Sequence, residues 1–272
     1  VPVCAAYYYQ SMKRSFSEKA HGEIAASSTF HGRFALVIGG SGGIGRAVSL
    51  ELLRRGARLL VHGRQAQERM KSLSPPTISA FDYAFDSVPN FINALDARLA
   101  GMGAEPDIVI CAFGPFLEKP LEMVSAEEWE YLTMANLALP GAMASHFLAG
   151  MKARGYGRFL FFGGTRTDAL RPFRKTAAYA AAKTGLGVLA KSIAVSAADR
   201  NVAAVVVCPG PADTEYLNAE TRAQHASLTA SGSLLSPELI ARASLDLIDA
   251  DPCIASGAIV ALDGGFDPES KR

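Results

Sequence analysis

The chain has 272 residues, 49% apolar and 19% charged, with a net charge of +1 from 27 basic and 26 acidic side chains. That length suits one large α/β domain, and the even charge balance gives no support to a nucleic-acid or anionic-membrane partner. No uncharged run is long enough to span a membrane, and the 4 cysteines are scattered without a CxxC pair, so neither a disulfide framework nor a metal site is expected and a cytoplasmic location fits.

Residues 1–32 are polar, rich in Ser and Ala, and without a period; they are expected to form a flexible tail, with residues 1–11 left open as native or appended. From Arg33 onward, apolar runs alternate with helical patterns. RFALVI (33–38) reads as a buried strand, and the segment GIGRAVSLELLRRG as a helix stopped by Gly56. ARLLVH (57–62), TISAF (77–81) and PDIVICAF (106–113) are the next strands. A long helix is expected over 125–150, opened by Ser125 with Glu128 in capping-box spacing. GRFLFF (157–162), a helix over 176–198, and NVAAVVVC (201–208) follow, then a helix capped by Ser236 with Pro237 in its first turn, and a last strand at 257–262. Continuous apolar strands separated by helices predict a single doubly wound α/β domain over 33–272: a parallel sheet of about seven strands with helices on both faces.

GGSGGIG (39–45) sits between the first strand and the first helix. Small residues there permit a tight turn and let a pyrophosphate approach the free N–H groups of a helix N-terminus. The pattern lacks GK[ST], which argues against a nucleoside triphosphatase. At the end of the second strand, where a carboxylate would bind a ribose 2′-hydroxyl, stands His62-Gly63-Arg64. A guanidinium there suits a 2′-phosphate, so NADP(H) is expected ahead of NAD(H).

Tyr179 and Lys183 lie four apart on an Ala-rich helix and therefore share a face. They follow the fifth strand, and ligand chemistry in such sheets gathers at the strands' carboxyl ends. A phenol titrates near pH 10, and a neighbouring ammonium would lower that value toward neutrality.

In order and spacing, these pieces resemble the short-chain dehydrogenase/reductase family over roughly 33–266. VIGGSGGIGRA matches its glycine loop, EEWEYLTMANLALP the helix with its structural asparagine, YAAAK its tyrosine–lysine pair, VCPGPADT its nicotinamide loop and SGAIVALDGGF its closing strand. The resemblance implies a Rossmann-type fold and hydride transfer between a nicotinamide and a carbonyl or alcohol, a 3-oxoacyl thioester or small ketone among the candidates. Tyr179 would be the general acid/base. Lys183 would bind the nicotinamide ribose and depress the tyrosine pKa, and Asn136 would hold a water in a proton relay. Gly39, Ser41, Gly43, Ile44 and Gly45 would shape the pyrophosphate loop, and Asp82 would meet the adenine. Pro209, Gly210 and Thr214 would border the nicotinamide. It further implies a substrate lid near 212–235, and a homodimer or homotetramer built on the helices at 125–150 and 176–198.

Three departures stand out. Ile38 occupies the place of a threonine that braces the glycine loop. Cys111-Ala112-Phe113-Gly114 keeps only the glycine of an Asn-Asn-Ala-Gly pattern. Gly164 aligns with the serine that hydrogen-bonds the substrate oxygen, a loss worth about 10²–10³ in rate. Thr165 is the nearest replacement hydroxyl and Thr167 a second, in a loop at least one residue longer than usual. The cluster Arg166, Arg171, Arg174 and Lys175 reads first as a solvated loop, and second as a seat for an anionic substrate tail. These departures motivate an alternative: a weakened or inactive NADP-binding relative acting as a redox sensor or through partners. A methyltransferase with a similar sheet is disfavoured by the tyrosine–lysine pair.

Overall fold

The computed structural model describes residues 28–71 and 77–266. Its first strand, β1 (Phe34–Ile38), is buried along its whole length. Because successive side chains on a strand point to opposite faces, Phe34, Leu36 and Ile38 join one apolar cluster while Ala35 and Val37 join another. One strand thus divides the molecule into two cores, and the helices fall on either side of it.

α1 (Gly43–Arg54) follows, then β2 (Arg58–Gly63), the short α2 (Ala66–Met70), β3 (Ile78–Asp82), α3 (Val88–Ala100) and β4 (Ile108–Cys111). α4 (Ala126–Thr133) runs through a π-helical turn, Met134–Ala138, into α5 (Leu139–Arg154). β5 (Gly157–Phe162), α6 (Ala177–Ala197), β6 (Val202–Pro209), α7 (Ala219–Ser227), α8 (Pro237–Asp246) and β7 (Ile259–Leu262) complete the order. All seven strands are parallel in the order β3-β2-β1-β4-β5-β6-β7. The expected doubly wound α/β sheet is what the chain forms. β1 lies between β2 and β4, so the winding reverses there and opens a crevice above their carboxyl ends.

On one face α3, α5 and α6 supply Phe91, Leu95, Met143, Phe147, Leu186 and Ile193. On the other, α1 and α8 supply Val48, Leu52, Ile240 and Leu245. Each such side chain, fully buried, contributes roughly 1.5–3 kcal/mol of transfer free energy. Among the described residues no helix is long and apolar enough to cross a membrane.

Two expectations need correction. Residues 28–32 belong to the folded body rather than to a tail. Phe30 is fully buried, and Ser28 Oγ, the Thr29 amide and Thr29 Oγ1 all donate to the Asp249 carboxylate at 2.8, 2.8 and 2.9 Å. A single aromatic in a polar stretch carries no period, which is why the sequence hides it. Residues 1–27 lie outside the described residues. The helix expected over 125–150 is also not uniform. Pro140 has no N–H to donate to the Asn136 carbonyl four residues back, and the chain opens into the π turn there. α3 was not anticipated at all, although Ser87 caps it by accepting from the Asn90 amide.

At the opposite, amino end of the sheet, Arg158 is fully buried, with no carboxylate partner among the described residues. It makes five hydrogen bonds, to the carbonyls of Ile248, Gly157, Asn201 and Ala250 and to Asn201 Oδ1. The Tyr156 ring lies 4.3 Å beneath its guanidinium.

Candidate active site

The loop after β1 is built from close approaches that only glycine allows. A Cβ on Gly45 would collide with the Gly39 carbonyl, and one on Gly39, at φ +80°, would lie 2.6 Å from the Phe113 amide. Ser41 is buried with its Oγ against Gly63, so the glycine loop packs directly on the end of β2. Ile44 enters α1 half-buried, packed against the α1/α8 core.

Ile38 provides no hydroxyl, and two other residues brace the loop instead. The Gly39 amide donates to His62 Nδ1 at 3.4 Å, while His62 Nε2 faces the Tyr83 carbonyl at 3.2 Å. One ring nitrogen accepts and the other donates, so the ring is neutral. Burial pushes its pKa down from 6.5 to about 4. Ser49 Oγ reaches the Gly40 and Gly45 carbonyls, each at 3.0 Å. Neither residue was identified from the sequence; the only hint was a lone histidine at the end of an apolar strand.

Arg64 is exposed just beyond β2 and makes no hydrogen bond or ion pair with the described residues. Asp82 ends β3 in register with Gly63, and its Oδ1 accepts from the Gln67 amide at 2.9 Å. Both therefore stand at strand ends on the loop's side of the sheet.

The second half of the site lies above β4, β5 and β6. Tyr179 and Lys183 project from one face of α6, with the Lys183 Nζ 5.9 Å from the phenol ring centroid. Lys183 is buried and donates to the Phe162 carbonyl at 2.8 Å. Asn136 Nδ2 donates to the Pro115 carbonyl at 3.0 Å, while its buried Oδ1 has no partner among the described residues. A Cβ on Gly114 would collide with that Oδ1 and lie 3.1 Å from Lys183 Nζ. This explains why the glycine survives in Cys111-Ala112-Phe113-Gly114. The π turn, β4 and α6 thus bring Asn136 and Lys183 to one spot.

The expected depression of the tyrosine pKa is absent in the protein alone. Burial, and then Cys208, push the Tyr179 phenol upward, and burial lowers Lys183 to about 8. In this environment desolvation is the largest influence on both groups. Cys111 is likewise pushed up to about 12 by burial.

At Gly164 the position of the missing side chain is already filled. A Cβ there would lie 2.6 Å from Tyr179 Cε1 and 3.1 Å from its hydroxyl. The tyrosine ring rests on this glycine from one side and meets Phe116 edge-on at 5.1 Å from the other. Thr165 Oγ1 donates to the Pro209 carbonyl at 2.9 Å. Thr167 Oγ1 accepts from the Gly164 amide at 2.8 Å and donates to the Gly164 carbonyl at 2.9 Å. Each threonine proton therefore already has an acceptor. Gly210 continues from Pro209 by donating to the Leu262 carbonyl at 3.0 Å. Thr214 reaches back to the glycine loop, its Cγ2 3.5 Å from a Cβ position on Gly43.

Two members of the basic cluster are paired with acids. Arg171 pairs with Asp168 at 2.5 Å and Lys175 with Glu118 at 3.6 Å, which fits the solvated-loop reading.

Comparisons with known proteins agree with this architecture. The chain is 28% identical over 246 residues to the 3-oxoacyl-(acyl-carrier-protein) reductase FabG of Escherichia coli, covering 87% of this chain and 98% of that one. It is 23% identical over 253 residues to a D-beta-hydroxybutyrate dehydrogenase of Rhizobium meliloti, covering 85% and 97%. Among solved structures, a short-chain dehydrogenase/reductase from Serratia marcescens superposes with a TM-score of 0.76 at 25% identity, covering 87% of this chain and 98% of that one. A family model described as short chain dehydrogenase matches residues 33–225. The chain belongs to the short-chain dehydrogenase family, and with it to the oxidoreductases that act on CH–OH and C=O groups.

Proposed function

We propose that this oxidoreductase is a carbonyl reductase that uses NADP(H) in preference to NAD(H), with Tyr179 as the proton donor. The observation that carries the reading is the Tyr179–Lys183 pair beyond β5, at the same edge of the parallel sheet as a glycine loop whose helix N-terminus donates to a carboxylate. That carboxylate belongs to Glu215, which receives the Gly43 amide at 3.0 Å and stands in for a phosphate. The loop residues thus fit a dinucleotide.

Gly39, Ser41, Gly43, Ile44 and Gly45 would hold the pyrophosphate, Arg64 the 2′-phosphate and Asp82 the adenine end. Lys183 would hold the nicotinamide ribose, and Pro209, Gly210 and Thr214 would border the ring. When bound, the cofactor supplies the hydride. The chain's own residues orient the carbonyl and manage the proton. A phenol held above its ordinary pKa keeps its proton at neutral pH, the state needed to protonate a carbonyl oxygen being reduced. Asn136 Oδ1, beside Lys183, is an acceptor on a route by which the proton is replaced. Thr165 ties the end of β5 to Pro209 and positions the nicotinamide border.

FabG is named for reducing a 3-oxoacyl thioester, and a substrate of that class or a small ketone suits the half-open apolar wall of Phe116 beside Tyr179. α5 and α6, rich in small side chains, suit pairing into a homodimer or homotetramer in the cytoplasm. The segment at 212–235, including α7, would close over the substrate.

The lost serine supports a second reading, an NADP-binding relative with weak or no turnover. Fluorescence titration with NADPH, followed by a panel of ketones and 3-oxoacyl thioesters, separates the two. We expect binding and NADPH consumption with at least one compound. Binding without turnover at high enzyme concentration would select the second reading.

A further inference from the structure

α1 begins without a local cap: its N-cap residue is Gly42, which has no side chain to accept from the first amides, and its first turn holds no acid. The cap arrives from 172 residues away. Both carboxylate oxygens of Glu215 receive the Gly43 amide, at 3.0 and 3.2 Å, and Arg69 Nη1 stands 3.6 Å from the same carboxylate. Tyr216 lies over the same turn. Its hydroxyl fills the place a Cβ on Gly42 would take, and its ring edge is 3.1 Å from a Cβ position on Gly43. The ring is nevertheless 62% exposed, an aromatic laid on a glycine loop rather than sunk into a core.

The segment carrying both residues is fastened. Arg222 Nε donates to Asp213 Oδ1 at 2.7 Å, and its other nitrogens reach the Thr214 and Leu217 carbonyls, each at 3.3 Å. The Asp213 amide donates to the Leu235 carbonyl at 2.9 Å.

A helix N-terminus attracts negative charge, and one set of N–H groups serves one anion at a time. We propose that Glu215 is an internal occupant of the pyrophosphate seat, and that residues 213–217 form a latch which the dinucleotide must displace. The inference rests on the dinucleotide reading of the loop given above. The cofactor-free protein is then held closed, and its apparent affinity for the dinucleotide is reduced by the fraction of molecules in which the latch is shut. Binding of the diphosphate and release of Tyr216 become one event, linking cofactor entry to movement of the lid.

Two measurements test this. In fluorescence titrations, Glu215→Ala should bind NADPH about 3- to 10-fold more tightly than the wild type, with Tyr216→Ala changing in the same direction. Unchanged or weaker binding by Glu215→Ala would overturn the latch. Hydrogen exchange on the ligand-free protein is the second, and it needs no cofactor. Glu215→Ala should speed exchange at the Gly43 amide and across 213–217, and unchanged exchange would overturn the proposal. If neither protein binds NADPH or NADH, the dinucleotide reading itself fails. The exchange result and a titration with inorganic pyrophosphate, tighter for Glu215→Ala if the latch exists, still decide the latch.

Discussion

The two halves of the crevice have treated their losses differently. Above β1 and β2, a missing threonine at Ile38 is compensated: His62 and Ser49 supply the hydrogen bonds that hold the glycine loop. Above β5, no free hydroxyl stands at Gly164: the tyrosine ring lies against the position, and both nearby threonines are engaged elsewhere. A loop needs only some acceptor in the right place, and any residue that reaches can serve. A donor aimed at a substrate oxygen must keep its proton uncommitted, which is harder to replace.

The comparison can be broken most forcefully at Tyr179. If it is the donor that remains on the substrate side, Tyr179→Phe should cut kcat by about 10²–10⁴-fold while NADPH affinity stays near the wild-type value. Steady-state kinetics beside a binding titration would expose a smaller role.

On the cofactor side, the brace should be visible as acid sensitivity. Unfolded His62 takes up a proton near pH 6.5, whereas the folded ring resists until about pH 4. Stability should therefore fall as the pH drops through that window, by on the order of 3 kcal/mol from this residue. Denaturant unfolding at several pH values should show a shallower slope for His62→Gln; an identical slope would remove His62 from the account.

Restoring the serine tests whether the vacated role can simply be refilled. Gly164→Ser places a Cβ against the Tyr179 ring, so we expect a loss of about 1–3 kcal/mol in stability and no gain in kcat. A faster enzyme would mean that the ring yields easily. The smallest expected effect concerns Arg64. Because the side chain is exposed, Arg64→Ala should weaken NADPH binding by roughly 10-fold and leave NADH nearly unaffected. Equal losses for both would assign Arg64 no part in discriminating the two.

What could be read from the sequence was local. Tyr179 and Lys183 are one turn apart, and the glycine loop is contiguous, so spacing alone revealed them. The strands were legible because burial on both faces leaves continuous apolar runs. What escaped depends on contacts distant in the chain. His62 meets Gly39 across 23 residues, and Glu215 meets Gly43 across 172. Neither leaves a pattern in its own neighbourhood. The upward shift of the Tyr179 phenol escaped for a related reason: proximity to Lys183 was visible, but the burial that raises the phenol was not. Phe30 and the break at Asn136 belong to the same class, set by a partner or by one proline rather than by a period.

Arg158 has a consequence for how the molecule can move. Its guanidinium gathers carbonyls from the turn before β6 and from the connection between α8 and β7, at the amino end of the sheet. Those connections cannot drift apart without stranding a charge in the interior, so they behave as one clamped base. Among the described residues the carboxyl end shows no such clamp, and the segment around 213–222 is held there by exposed side chains. The sheet therefore resembles a book bound tightly at the spine and more lightly fastened at the edge that carries Tyr179 and the glycine loop.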